Sequence, residues 1–125
     1  HCNIKPVVNQ IECHPFNQRQ SLLQVMRKHQ VVGMAWSPFT RDRQPIFDHP
    51  IIKSLAEKYN VTKHQVILRW HIQRGITPLP KASTLSHMES NFDVVRFQAH
   101  KYRHGCNGAV GAAGIFRKSS YRRRA

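Results

Sequence analysis

The sequence predicts an α/β fold in which parallel strands alternate with helices, and three observations support this prediction. Residues 7–12, 31–36 and 76–80 are short apolar or β-branched runs of the kind that form buried strands. Segments with apolar side chains at helical spacing separate these runs and follow the last one. This order implies parallel pairing with right-handed crossovers, as in a doubly wound sheet or a (β/α)8 barrel. Three strands complete neither architecture, and the first begins within a few residues of His1, so we expect further strands upstream.

The three strands differ in their patterns. The first alternates apolar and polar residues at its end and stops before Pro15. The second is almost continuously apolar up to Ser37, which predicts a strand buried on both faces of the sheet. The third is short and is weakened by its two prolines.

Four helices are predicted. Three of them cover residues 17–29, 50–59 and 62–73, and the fourth begins at its cap, Ser86, and ends near Asn91. Arg27 and Lys28 lie in the last turn of the first helix, where the helix dipole favours cations. Thr62 suits the N-cap of the third helix, and Gly75 lies where a helix often ends in a left-handed glycine. The predicted order is therefore βαβααβα.

Two stretches of the sequence lack apolar periodicity. Residues 39–48 are polar and contain Pro45, so we expect a long surface loop there. Residues 99–125 contain four of the six glycines and nearly end in three consecutive arginines, a composition typical of a disordered tail. The chain is predicted to divide into a folded portion, residues 1–98, and a basic Gly/Arg-rich tail, residues 99–125.

The formal net charge of +14 is unevenly distributed. All six acidic residues precede residue 99, whereas seven of the twenty Lys and Arg follow it. A basic balance favours contact with polyanions but does not specify a fold. A noncatalytic module that binds nucleic acid or acidic surfaces weakly through its tail therefore stays open as an alternative function.

Membrane insertion, export and metal binding find no support in the sequence. No run of about 18 apolar residues occurs and the first residues lack the apolar stretch of a secretory signal, so we expect a cytoplasmic setting. The cysteines Cys2, Cys13 and Cys106 are odd in number and widely spaced, without a C-x-x-C pair. Reduced thiols without a bound metal are therefore expected.

Four motifs occur in an order and spacing that resemble one known family. They are Val8-Asn9-Gln10-Ile11-Glu12 with His14-Pro15, Ala35-Trp36-Ser37-Pro38, residues 65–70, and Pro80-Lys81. Over about residues 6–97 the sequence resembles the aldo-keto reductases. The resemblance implies a TIM barrel of which this chain holds the last three strands with their helices. It also implies an oxidoreductase that reduces small aldehydes or ketones to alcohols by hydride transfer from NAD(P)H.

The resemblance further implies seven cofactor-binding residues, which are Gln10, Trp36, Ser37, Phe39, Lys81, His87 and Asn91. By similarity, Gln10 bonds the nicotinamide carboxamide, Trp36 stacks on the nicotinamide ring, and Ser37 contacts the pyrophosphate. Phe39 stands where a leucine is common beside the pyrophosphate, and Asn91 matches an adenine contact. Several of these positions end a predicted strand, where barrel enzymes place their binding groups. Plain structural roles, such as barrel packing for Trp36, remain alternatives.

The cofactor preference is less clear than the site. Lys81 matches a lysine that pairs with the 2'-phosphate of NADP. The serine that usually follows that lysine is Ala82 here, and an arginine six positions after it is His87. A neutral imidazole does not replace the planar, permanently charged guanidinium. NADP is therefore the implied cofactor, with NAD left open.

No catalytic residue is expected in this chain. In the family resembled, an Asp, a Tyr, a Lys and a His from the N-terminal half of the barrel perform the proton transfer, and no residue here matches them. We therefore expect no carbonyl reduction by this chain alone. His14 lies in the turn after the first strand and is assigned a structural role. His64 and His71, seven residues apart on one helix, are expected to be solvated and not to bind metal.

Overall fold

The structure is a computed structural model that describes residues 3–40 and 44–96. The predicted tail, residues 99–125, lies outside the described residues, and so does its boundary at residue 98.

Three parallel strands form a sheet in the order β1-β2-β3. Glu12 lies opposite Trp36 at the end of one strand pair, and Ala35 lies opposite Pro78 at the end of the other. Consecutive strands that lie side by side and run parallel are the arrangement of a (β/α)8 barrel wall. The strands are β1, Val8–Glu12; β2, Val32–Trp36; and β3, Ile76–Pro78.

Helices connect the strands and follow the last one. All four predicted helices are present, and a fifth lies in the segment predicted as a loop. The helices are α1, Gln20–Lys28; α2, Gln44–Asp48; α3, Pro50–Tyr59; α4, Lys63–Gln73; and α5, Leu85–Phe92, which continues into a 3₁₀ turn, Asp93–Arg96.

The helix α4 has the most complete start. The Thr62 hydroxyl accepts a hydrogen bond from the Gln65 backbone N–H at 3.1 Å, and the Gln65 side chain accepts one from the Thr62 N–H at 2.9 Å. This reciprocal capping box satisfies two N–H groups that the helix leaves unpaired. Gly75 follows the helix with a φ of 72°, the left-handed conformation that glycine adopts without strain. The predicted cap residues at both ends of α4 are thus confirmed.

The structure corrects two local predictions. Residues 39–48 are not wholly a loop, because α2 begins at Gln44, with Pro45 in its first turn, where a missing N–H costs nothing. The cap of α5 is Thr84 and not Ser86, since the Thr84 hydroxyl accepts from the His87 N–H at 3.3 Å. The cap was misassigned because Ser and Thr satisfy the same capping rule.

The core lies between the sheet and the helices, and only one face of β2 contributes to it. Gly33 and Ala35 are buried, whereas Val32 is 50% exposed, so the prediction of burial on both faces was wrong. A side chain on Gly33 would approach Leu23 and Met26 of α1 to 3.4 Å, so glycine allows α1 to pack closely on the sheet. The opposite face of β2 has no cover among the residues described.

Most of the largest buried side chains belong to α3 and α4. They include Ile52 and Leu55 of α3 and Ile67, Leu68 and Trp70 of α4, each at most 2% exposed. Within the described ranges, no helix is long and apolar enough to cross a membrane.

Candidate functional site

The C-terminal ends of the three strands lie along one edge of the sheet. β1 ends at Glu12 and β2 ends at Trp36 directly opposite it, while β3 ends two residues before Pro80 and three before Lys81. Gln10 lies two residues before the end of β1, opposite Met34, and is exposed. Parallel strands therefore bring Gln10, Trp36 and the segment leading to Lys81 toward one edge.

The turn after β2 has an unusual backbone. Ser37 has a φ of 50° and Thr40 a φ of 55°, both in the left-handed region that non-glycine residues seldom adopt. The Thr40 N–H donates to the Ser37 carbonyl at 3.0 Å and closes the turn. The Ser37 hydroxyl is buried without a hydrogen-bond partner among the described residues. A strained backbone combined with an unsatisfied buried hydroxyl is a pattern that often marks a ligand-binding turn.

A cleft opens beside this turn, between the ends of β1 and β2. Its walls combine a carboxylate and an imidazole with aromatic and aliphatic side chains. The lining residues are Glu12, His14, Phe16, Trp36, Thr40, Pro45 and Ile46. Such a mixture of apolar walls and few polar groups is typical of small-molecule sites.

Glu12 and His14 face each other across 3.7 Å in this cleft. Burial lowers the pKa of the His14 imidazole, and Glu12 opposes part of that change by favouring the charged form. The Nδ1 atom of His14 is buried without a partner among the described residues. His14 is thus buried in the wall of the cleft, and its structural role stays a prediction.

Phe39 lies away from solvent in a cluster of three rings. Its ring meets the His64 ring edge-on at a centroid distance of 4.8 Å, and His64 lies 4.5 Å from the Phe47 ring. Phe39 is buried, so its side chain packs against other rings. Sequence reasoning selected Phe39 but missed Phe47 and His64, because the three rings come from the turn after β2, from α2 and from α4.

The remaining predicted residues lie after β3. Lys81 and His87 are exposed, His87 in the first turn of α5, and Asn91 is partly buried near the end of α5. The Gln65 side chain donates to the Ser90 carbonyl at 2.9 Å. This bond holds the end of α5 against the first turn of α4. His64 directly precedes Gln65 in the chain, and Asn91 directly follows Ser90.

Comparisons with known proteins agree on one family. A model of the aldo/keto reductase family matches residues 48–105. Methylglyoxal reductase DkgA of Escherichia coli K12 is 38% identical over 98 residues, which are 78% of this chain and 36% of that protein. An aldo/keto reductase structure from Brucella melitensis matches 75% of this chain and 35% of its own chain, with 39% identity and a TM-score of 0.68. This chain belongs to the aldo-keto reductase family.

Two further relatives extend the agreement. Aldo-keto reductase family 1 member D1 of Mus musculus is 37% identical over 102 residues, 74% of this chain and 31% of that protein. An aldo-keto reductase solved in complex with NADPH matches with 34% identity and a TM-score of 0.71, over 78% of this chain and 33% of its own. The aldo-keto reductase chain described here spans about a third of the length of these relatives. Its fold is an incomplete (β/α)8 barrel, as the sequence predicted.

His71 of this aldo-keto reductase chain is a polar residue that sequence reasoning misjudged. It is completely buried, although it was expected to be solvated. Its Nδ1 lies 2.8 Å from the Ile67 carbonyl oxygen and its Nε2 lies 2.8 Å from that of Cys13. Burial lowers the pKa of the His71 imidazole, against the effect of the two carbonyls. The apolar spacing of α4 indicated its buried face, but not that a histidine belonged to it.

The described residues contain no group of three or more His, Cys, Asp or Glu side chains that could hold a metal ion. Cys13 is a free, buried thiol, and burial raises its pKa. Cys2 and Cys106 lie outside the described residues.

Proposed function

We propose that this chain forms the cofactor-binding part of an oxidoreductase that reduces aldehydes or ketones to alcohols with NAD(P)H. Family membership supports the reaction class. A reduced nicotinamide, when bound, supplies the hydride, and the residues of this chain bind and orient the cofactor.

The observation that carries the proposal is the turn at the end of β2. Ser37 combines a left-handed backbone with a buried hydroxyl that has no partner among the described residues, and it directly follows Trp36. A hydroxyl of this kind can donate to a phosphate oxygen, while the partly buried indole offers an apolar face for a planar ring. The exposed amide of Gln10, with both a donor and an acceptor, suits a carboxamide.

The adenosine end of the cofactor is assigned to the region around α5. Lys81 offers an exposed positive charge for a phosphate, and His87 lies in the first turn of a helix whose N-terminus attracts anions. Asn91 directly follows Ser90, whose carbonyl accepts a hydrogen bond from Gln65 in the helix that carries His64. The exposed His64 ring and the partly buried Phe47 ring add an aromatic surface against which an adenine can stack, and the buried Phe39 ring supports them from behind.

The chain alone is proposed to be inactive as a reductase. Resemblance to the family gives no residue of this chain the role of proton donor to the carbonyl oxygen. General acid catalysis contributes about 10²–10⁴-fold to such reactions. Binding of the cofactor and turnover of a carbonyl are therefore expected to separate in this protein.

A titration of the purified chain with NADPH and NADH tests the proposal, with tryptophan quenching as the signal and circular dichroism as the check on folding. Saturable quenching supports it, and a folded chain that binds neither cofactor contradicts it.

In Lys81→Met, NADPH affinity should fall about 10- to 100-fold, because a charge-assisted hydrogen bond contributes about 1.5–3 kcal/mol. NADH affinity should change much less. Lys28→Met, at the far end of α1, is the matched control for loss of one positive charge.

His87→Arg tests the coenzyme preference. A guanidinium at this position forms a bidentate contact with a phosphate that a neutral imidazole cannot form. The ratio of NADPH to NADH affinity should therefore rise in this variant, measured in the same titration. An unchanged ratio would remove His87 from the proposed site.

The basic tail supports a second candidate function, the binding of nucleic acid or acidic surfaces. Seven Lys and Arg and no acidic residue lie in residues 99–125. Such binding should weaken steeply with salt and disappear when residues 99–125 are deleted, whereas cofactor binding should persist. Binding that does not respond to salt contradicts this candidate.

A further inference from the structure

The loop that follows β1 is anchored to α4 and the residue after it. This loop, residues 13–18, supplies His14 and Phe16 to the cleft described above. One anchor is His71, whose Nε2 lies 2.8 Å from the Cys13 carbonyl oxygen. The other is Arg74, which donates to the backbone carbonyl and the side-chain oxygen of Gln18, each at 3.1 Å. The loop is thus held at both of its ends.

The two contacts of His71 are not equivalent. A neutral imidazole has one N–H, so it can donate to only one of the two carbonyls that its nitrogen atoms face. The Ile67 carbonyl lies four residues earlier in the helix and is the regular acceptor of the His71 backbone N–H. Cys13 lies one residue beyond the last register pair of β1, Glu12 with Trp36. The single side-chain proton is therefore best placed on Nε2, where it bonds the Cys13 carbonyl.

Arg74 makes the second anchor rigid. Its guanidinium lies 4.5 Å from the centroid of the buried Trp70 ring, which fixes the orientation of its planar donors. Arg27 of α1 also donates to the Arg74 carbonyl at 3.2 Å. The donors that hold Gln18 are therefore themselves held by two helices.

We propose that His71 is a positioning residue: its Nε2–H donates to the Cys13 carbonyl, fixes the loop of residues 13–18, and so sets the wall of the cleft formed by His14 and Phe16. The consequence for cofactor affinity rests on the proposed function, whereas the bond itself does not. A residue that only fills space at position 71 would be replaced by any ring of similar volume. A positioning residue requires a donor at the place of Nε2.

The first test is the protonation state of the His71 ring, read from side-chain ¹⁵N chemical shifts of the full chain at pH 7.5. A protonated Nε2 whose hydrogen exchanges slowly with solvent is the expected result. A hydrogen on Nδ1 with a bare Nε2 overturns the proposal, because such an Nε2 cannot donate to Cys13.

The second test uses the buried thiol beside the bonded carbonyl as a reporter. In a Cys2→Ser, Cys106→Ser background, Cys13 is the remaining cysteine, and its rate of reaction with a water-soluble disulfide reagent measures opening of the loop. His71→Gln keeps a donor at the place of Nε2, whereas His71→Asn places its amide nearer to Nδ1 and His71→Phe has no donor. We expect the rate to rise at least 10-fold in the Phe and Asn variants and less than 3-fold in the Gln variant.

Global unfolding is separated from loop opening by the denaturant dependence of the same rate. A rate that rises without a change in the unfolding midpoint reports local opening, as the proposal requires. Equal Cys13 reaction rates in the Gln and Phe variants overturn the proposal. A parent chain whose Cys13 reacts as fast as a free thiol also overturns it. If NADPH binds to the parent chain, its affinity should follow the same order of variants. A parent chain that protects Cys13 but binds no cofactor contradicts the proposed function while leaving the His71 bond supported.

Discussion

The neighbouring helices α4 and α5 use their apolar residues in opposite ways. In α4, six of eleven residues are buried, and the capping box fixes its start. In α5, none of the eight residues is buried, and Leu85, Met88 and Phe92 are 70%, 51% and 80% exposed. The spacing of these three residues, three and then four positions, places them on one face of the helix.

Because of this difference, the buried residues of α4 contribute to stability, whereas the exposed residues of α5 are available for association with other protein. The apolar side chains of α4 are removed from water by the chain itself and stabilise the fold. Those of α5, like Val32 on the uncovered face of β2, remain in contact with water among the described residues. Exposed apolar patches of this kind mark surfaces that associate with other protein. The four predictions below test this separation.

The largest effect on stability is expected from removing the indole ring of Trp70 in α4. Trp70→Ala removes a completely buried indole and should lower the free energy of unfolding by about 3–5 kcal/mol, measured by urea denaturation followed by circular dichroism. The matched variant Phe92→Ala removes an 80% exposed ring of α5 and should change it by less than about 0.5 kcal/mol. Similar losses in the two variants would show that α5 is packed as firmly as α4.

The second effect is a pH dependence that comes from the buried side of α4. Burial lowers the pKa of His71 below its usual range, with the nearby Arg74 and His14 acting in the same direction and the carbonyls of Cys13 and Ile67 acting against it. Below about pH 6.5 the unfolded chain binds a proton at this position that the folded chain does not bind. Stability from His71 is therefore complete above that pH and decreases as the pH falls, by at most about 1.4 kcal/mol per pH unit.

Denaturation curves between pH 7.5 and 5 measure this dependence. In His71→Phe the slope of stability against pH should become smaller than in the parent chain, whatever the cost of the substitution itself. A slope that is the same in both chains would mean that His71 does not contribute.

The third effect compares the helix caps. Thr62→Ala breaks the capping box of α4 and should cost about 1 kcal/mol of unfolding free energy. Thr84→Ala removes the 3.3 Å bond to the His87 N–H of α5 and should cost less, because a helix without buried residues adds little to global stability. The same urea denaturation applies, and a larger loss for Thr84→Ala would reverse the comparison.

Adding charges to the apolar face of α5 is expected to have the smallest effect on stability. Its effect on association should be larger. Leu85→Lys and Met88→Lys place charges at side chains that are 70% and 51% exposed, so the free energy of unfolding should change by less than about 0.5 kcal/mol. Sedimentation velocity should show less self-association than in the parent chain. A destabilisation of 2 kcal/mol or more would mean that this face is covered within the chain.

Periodicity predicted the regular elements well because it reports burial on one side. The bounds of α3 and the cap residues of α4 followed from Pro50, Thr62 and Gly75, each of which has a local backbone reason for its position. The short helix α2 did not follow, since five residues carry too little apolar pattern to distinguish a single helical turn from a loop. The prediction that β2 is buried on both faces failed for another reason, because that pattern assumes cover for both faces of the sheet.

The candidate site was predicted in part. Motif positions at strand ends indicated Gln10, Trp36, Ser37 and Lys81 without any coordinates, and these assignments remain proposals. The ring cluster around Phe39 was missed, as His64 and Phe47 are 25 and 8 residues away along the chain and carry no motif of their own.

By itself, the sequence determined the alternation of strands with the longer helices, the family, and the ends of α3 and α4, because these depend on local backbone preferences and on the spacing of apolar residues. The tertiary structure alone decided that His71 is buried against the Cys13 carbonyl, 58 positions away, and that the apolar face of α5 remains exposed. Burial of a polar group or exposure of an apolar one depends on which distant segment packs against it. No local pattern in the sequence contains that information.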